Sequence, residues 1–141
     1  MTDAAAGRRP APGAAGAAIV VVASVLATWV GARGGSFQFD DWNVIVDEPR
    51  VASIAAWWAS MPGIRPLLKL TYAAGRQAGL GYDGFLAVNV GIHAVAALLV
   101  LALLRRVAAG ARVPAPLDGA APLLGALLFA LHPVQTEAVT Y

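Results

Sequence analysis

The chain has 141 residues, 59% of them hydrophobic and only 13% charged, and its mean hydropathy is +0.68. That balance excludes an ordinary soluble domain and describes a membrane chain. The net charge of +2 comes from scattered Arg with no basic block interleaved with aromatics, which argues against a nucleic-acid partner; with no Cys there is no disulfide and no thiolate metal site.

Residues 1–13 form an Ala/Gly/Pro-rich tail carrying Arg8 and Arg9, too poor in large apolar residues to fold alone and read as disordered and cytoplasmic. Residues 14–32 carry no charge. As a helix they would cover roughly 28 Å, at ~1.5 Å per residue, of a hydrocarbon core ~30 Å thick, so this is a first membrane span. The arginines before it favour a cytoplasmic N-terminus, and Trp29 falls where an interfacial aromatic belongs. A cleaved signal peptide is the competing reading, because Val30-Gly31-Ala32 resembles a cleavage site; the length of the apolar run favours an uncleaved anchor.

Residues 33–84 are polar to amphipathic and would be extracytoplasmic in this orientation. They contain Phe37-Gln-Phe-Asp-Asp-Trp-Asn43, which sets two adjacent carboxylates, Asp40 and Asp41, among aromatics. A carboxylate at the bilayer centre costs about 2.5–3.5 kcal/mol, which places the pair in the aqueous interface. Further on, Ile54, Trp57, Trp58 and Met61 recur at helical spacing within residues 51–61. Two readings stand side by side: a helix lying in the headgroup layer, or a small cap packed on Trp57 and Trp58. Pro62-Gly63 ends that helix, and Pro66 opens a second amphipathic segment through Ala78 with Lys69 and Arg76 on its polar side.

Residues 85–104 make a second uncharged span, in which Asn89 and His93, four apart, share one helix face. A structural role for this pair, an interhelical hydrogen bond worth on the order of 0.6 kcal/mol, is preferred to a catalytic one. Arg105, Arg106 and Arg112 fall in a cytoplasmic connection over residues 105–116. Residues 117–141 hold a third, short apolar run ending at His132-Pro133. This run should bring His132 and Glu137 back to the side that holds Asp40 and Asp41. The fold class is thus all-α and polytopic, with about three transmembrane helices and an extracytoplasmic loop of amphipathic helices.

Four pieces, FDDWNVIVDEPRV, IRPLLKLTY, GFLAVNVGIHAVAALL and LFALHPVQTEAV, resemble in order and spacing the N-terminal part of the transmembrane and tetratricopeptide-repeat O-mannosyltransferases and their bacterial relatives. The resemblance runs from Phe37 to the last residue. It implies a GT-C type glycosyltransferase fold and transfer of a sugar from a polyprenyl-phosphate carrier to an extracytoplasmic hydroxyl, protein Ser or Thr among the acceptors. It also implies that Asp40 or Asp41 is the catalytic base. A carboxylate within reach of a Ser/Thr hydroxyl can take its proton as the anomeric carbon is attacked, and repulsion between neighbouring carboxylates can raise the proton affinity of one. Arg65, and after it Lys69, is the cationic candidate for the lipid phosphate, and His132 and Glu137 are further substrate-binding candidates. Some GT-C enzymes use a divalent cation, which Asp40 and Asp41 would hold; His93 and His132 are too few and too far apart for zinc.

The chain departs from the pattern at Gln135, where some relatives carry His, and at Ile64, where an aromatic is frequent. Relatives continue past the equivalent of Tyr141 through further spans and a repeat domain, so the expectation is a fragment, inactive alone, of a bacterial inner-membrane enzyme. The alternative is a small non-enzymatic three-helix membrane protein acting as an assembly or lipid-binding partner.

Overall fold

The computed structural model describes residues 13–61 and 63–140, without the side chain of Glu137. Residues 1–12 of the expected tail lie outside them. The described residues hold six α-helices and several single turns, with no strand. The helices are α1 (Ala14–Trp29), α2 (Ile54–Ser60), α3 (Pro66–Gln77), α4 (Tyr82–Gly110), α5 (Leu117–Leu131) and α6 (Thr136–Thr140). Two segments are long and apolar enough to cross a membrane: Ala14–Ala32, which is α1 with its closing 3-10 turn, and α4. A third is available if α5 and the helical residues after Pro133, bent by 46°, form one span.

Contacts within the chain gather into two compact units. One takes the chain up to Thr28 with Ile92–Pro133; the other takes Trp29–Gly91 with the residues from Val134 onward.

In the first unit most buried positions hold small residues or valine, with His93 and Leu101 among the exceptions, and most of the exposed large side chains are Leu, Ile or Val. Along α1 the buried positions are Ala17, Val21 and Val25, four residues apart, while Ile19 and Leu26 are exposed. Along α4 His93, Ala97 and Leu101 are buried, and Ile92, Val95, Leu99 and Leu103 are exposed. In α5 Ala126 and Ala130 are buried, whereas Leu124 and Leu128 face out. Small side chains let backbones approach, which is how helices associate where the surroundings are as apolar as leucine. At Gly125 a methyl group would come within 2.7 Å of Leu104 Cδ1. Nearby, His93 Nε2 lies 2.9 Å from the Ala130 carbonyl. That oxygen can only accept, so this nitrogen carries the proton of the bond. The His93 ring also stacks on Phe129, with centroids 5.7 Å apart.

Helix α4 runs through 29 residues, past both ends of the apolar run 85–104. At its start Asp83 lies in the first turn, where a carboxylate suits the helix dipole. At its other end Arg105 and Arg106 continue the helix instead of leaving it, since Arg and Ala are good helix formers and charge alone does not stop a helix. Termination comes at Arg112, which adopts φ 52°. Its N–H bonds Ala109 O and that of Val113 bonds Ala108 O, a Schellman ending made without glycine.

The second unit contains a cap with its own core. Val51, Trp57 and Ala73 are buried together, with Leu70 and Tyr72 packed on them. Helix α2 starts where Ser53 Oγ accepts from Ala56 N–H at 3.1 Å and stops at Met61, φ 37°. Pro66 occupies the first position of α3, where its missing N–H costs nothing. Gly79, φ 71°, closes α3 by a second Schellman pair, Gly79 N–H to Arg76 O and Leu80 N–H to Gly75 O. The two sequence readings of the tandem tryptophans divide between the residues: Trp57 is 8% exposed and part of the core, whereas Trp58 is 69% exposed. Trp57 also donates from Nε1 to Pro66 O at 3.1 Å, tying α2 to the start of α3.

Candidate functional site

The acidic pair is held by local chemistry. Asp41 N–H bonds Gln38 O at 2.9 Å, and Asp41 Oδ2 accepts from Gln38 N–H at 3.0 Å, a reciprocal arrangement like a capping box. Trp42–Val46 then form one π-helical turn, closed by Asp47 N–H to Trp42 O at 2.7 Å. Trp42 Nε1 donates back to Phe37 O at 3.1 Å. The result separates the two carboxylates: Asp40 is exposed and Asp41 half-buried. Among the described residues no donor is bonded to Asp41 Oδ1.

The loop is stapled to α3 by a residue that sequence reading passed over. Arg76 donates from Nη1 to Ile45 O at 2.9 Å and to Glu48 O at 3.1 Å. It thereby satisfies two carbonyls that lie 31 and 28 residues away along the chain. Beside it Arg50 grips Glu48 through Nε to Oε1 at 2.9 Å and Nη2 to Oε2 at 2.7 Å. The hydrogen bond from the Arg50 side chain, then that from its backbone N–H, hold the Glu48 carboxyl down from 4.5 to about 2.

An aromatic cluster supports the loop from the α4 side. Phe37 meets Tyr82 and Phe85 edge-on, with centroids 6.0 and 5.8 Å apart, and Tyr72 meets Phe85 at 6.3 Å. Glycine is needed twice here. A methyl group on Gly35 would come within 2.7 Å of the Tyr82 ring, and one on Gly75 within 2.7 Å of the Phe85 ring. Gly34 N–H bonds Asp83 Oδ1 at 2.8 Å, fixing the start of the loop to the first turn of α4.

Two spaces result. A cavity of about 710 Å³ is lined by Asp40, Asp41 and Arg65, with Tyr72, Asn89 and Ala138 among the other walls. A space of about 20 Å³, room for one water, adjoins Asp41, Tyr72, Tyr82, Asn89 and Thr140. Asp41, Tyr72 and Asn89 line both. The larger volume is of the size that takes an organic ligand, and its walls mix carboxylate, guanidinium, phenol and apolar groups. Phe39 and Arg65, both on this cavity, have backbone φ of 39° and 58°. Such conformations are uncommon for bulky residues and tend to gather at functional sites.

The sequence candidates therefore separate. Asp40, Asp41 and Arg65 come together, and Asn89 joins them while its Nδ2 donates to Val139 O at 3.3 Å. Lys69 does not line the cavity; it lies off the Leu68–Tyr72 side of α3, and its positive charge is felt at Glu48. His132 borders another groove, about 260 Å³, walled by Leu124, Leu127, Leu128 and Leu131. Glu137 is on α6, whose neighbouring residues Ala138 and Val139 wall the two spaces at the acidic pair, but its side chain is not described. His93 is taken up by α5. No cluster of three or more His, Asp or Glu able to hold a metal ion occurs among the described residues.

Tyr72 is the second residue that sequence reading missed. Burial, and then the negative charge of Asp41, push its phenol up, while Arg65 pulls the other way. The signal was present: Arg65, Leu68 and Tyr72 are spaced i, i+3, i+7 and share one helix face.

Comparison of this chain with protein-family models, curated proteins and solved structures finds no match.

Proposed function

We propose that these residues form the acidic-loop portion of a polyprenyl-phosphate-sugar-dependent glycosyltransferase of the GT-C type, similar to the O-mannosyltransferases. The membrane-integral enzyme, of bacterial inner-membrane kind, has its N-terminus in the cytoplasm and its cap outside. What carries the reading is one juxtaposition: Asp41, with an unengaged oxygen, and Arg65, 24 positions later in the chain, wall the same cavity of about 710 Å³.

In the reaction a Ser or Thr hydroxyl of the acceptor attacks the anomeric carbon of the sugar. Its proton passes to Asp41 Oδ1, the bond from that carbon to the phosphate oxygen breaks, and the polyprenyl phosphate leaves with the electron pair. Arg65 faces the negative charge that gathers on the phosphate, for which a planar guanidinium is well shaped. Asp41 is chosen over Asp40 because Gln38 fixes its orientation and because it alone of the two borders both spaces. Asp40 stays at the cavity rim to meet sugar hydroxyls.

The test uses the membrane-reconstituted enzyme carrying these residues, polyprenyl-phosphate mannose and a Ser/Thr peptide. Asp41→Asn should lower the transfer rate by roughly 10²–10⁴, the usual worth of a positioned base, and Asp40→Asn by less. Full rates in both variants would remove the base assignment, and absence of transfer by the unsubstituted enzyme would return the chain to the non-enzymatic reading.

A further inference from the structure

Trp58, Met61, Ile64 and Leu67 form a run of exposed large apolar side chains along the end of α2, the turn after it and the start of α3; Trp58 is 69% and Ile64 80% exposed. Ile54, on the same face of α2 as Trp58 and Met61, extends the run. The cap's own core, Val51, Trp57 and Ala73 with Leu70 and Tyr72 packed on them, does not include these residues.

The charges around the run identify what would cover it. From Ala52 to Tyr82 the chain has Arg65, Lys69 and Arg76 and no carboxylate. Arg76 is spent on backbone carbonyls; Arg65, which also walls the cavity with Asp40 and Asp41, stands between Ile64 and Leu67, and Lys69 follows one turn on. An apolar ridge with cations beside it matches an anionic lipid surface. A membrane is also at hand on both flanks, because the chain enters membrane-length helices at Ala32 and at Tyr82.

We infer that the α2–α3 turn is a membrane anchor, with Trp58, Met61, Ile64 and Leu67 sunk about 5–10 Å into the headgroup and acyl boundary. The inference needs no transferase activity. It adds a consequence for the cavity, because Arg65 and Leu68, which wall it, alternate with Ile64 and Leu67 in the first turn of α3. The cavity mouth then lies at headgroup level, where an amphiphilic ligand can enter directly from the lipid.

The chain has no Cys, so single Trp58→Cys and Ile64→Cys variants can carry an environment-sensitive fluorophore. Both side chains are exposed, so their loss spares the core, and Asn43→Cys, on the exposed acidic loop, serves as the aqueous control. In vesicles of phosphatidylethanolamine and phosphatidylglycerol, the probes at 58 and 64 should emit further to the blue than at 43. Nitroxide-bearing lipids should quench them several-fold more, and aqueous iodide several-fold less. Iodide access equal to that at 43 would overturn the anchor, and so would protection from both quenchers, which would mean that protein covers the ridge.

Discussion

The two units use the same residue types in opposite ways. In the unit that holds most of the membrane-length helices Ala17, Ala97, Ala126 and Ala130 are buried while Leu99, Leu103, Leu124 and Leu128 face out. In the cap the large side chains of Trp57 and Val51 are buried, while Phe39, Trp42 and the ridge at Trp58 stay exposed. The difference lies in the surroundings. Water drives large apolar groups inward at roughly 25 cal/mol per Å². Lipid offers no such drive, so close approach of small residues decides which face turns in. The cap is therefore held by a conventional core and by polar staples, whereas the spans are held by fit.

The sharpest way to break this contrast is to truncate neighbouring tryptophans. Trp57→Ala should destabilise the cap by about 3–5 kcal/mol, the cost of emptying an aromatic core position. Trp58→Ala, one residue along, should stay within about 0.5 kcal/mol in detergent, as exposed positions do. Limited proteolysis across residues 33–81 would report both, and equal losses would mean that the tryptophans are not divided as described.

Next in size is the polar staple. Arg76→Ala leaves Ile45 O and Glu48 O without their donor, at about 1–3 kcal/mol for each group that stays buried. The acidic loop should open before α2 and α3 melt, with amide hydrogen exchange rising first in residues 38–48. Uniform exchange across the cap would show that Arg76 holds nothing in particular.

The smallest effect belongs to Glu48. Its folded-state acidity lies near 2 against an ordinary 4.5, so the unfolded chain binds the proton more readily. The stabilisation from the Arg50 pair is fully present above about pH 4.5 and is lost as pH falls towards 2. Arg50 is about half exposed, which keeps the effect small. Glu48→Gln should lower the melting temperature slightly at neutral pH and flatten the acid limb of the profile in this window, the two profiles converging towards pH 2. An unaltered acid limb would contradict the pairing.

The membrane-length helices and the two cap helices were legible from local pattern. Uncharged length gives the first of them and Pro66 the start of α3. What escaped depended on partners distant in sequence. Arg76 reads as one more polar-face cation until Ile45 and Glu48 fold against it. Asp40 and Asp41 are equivalent as letters and become unequal only when Gln38 binds one of them. The far end of α4 was not legible for another reason: a charge marks where a helix leaves lipid, which is not where the helix stops. Arg105 and Arg106 accordingly stay helical. His132 borders a leucine groove, and α6 supplies part of the wall of the cavity at the acidic pair.

The central claim, an acidic cap outside the membrane that shares its cavity with α6, is tested most directly by single-cysteine labelling of intact cells with a membrane-impermeant reagent. Asn43→Cys and Ala138→Cys should both react from outside, and Ala111→Cys only after permeabilisation. Reaction of Asn43→Cys and Ala138→Cys from opposite faces would contradict the shared cavity, and reaction of both only after permeabilisation would contradict its extracytoplasmic placement.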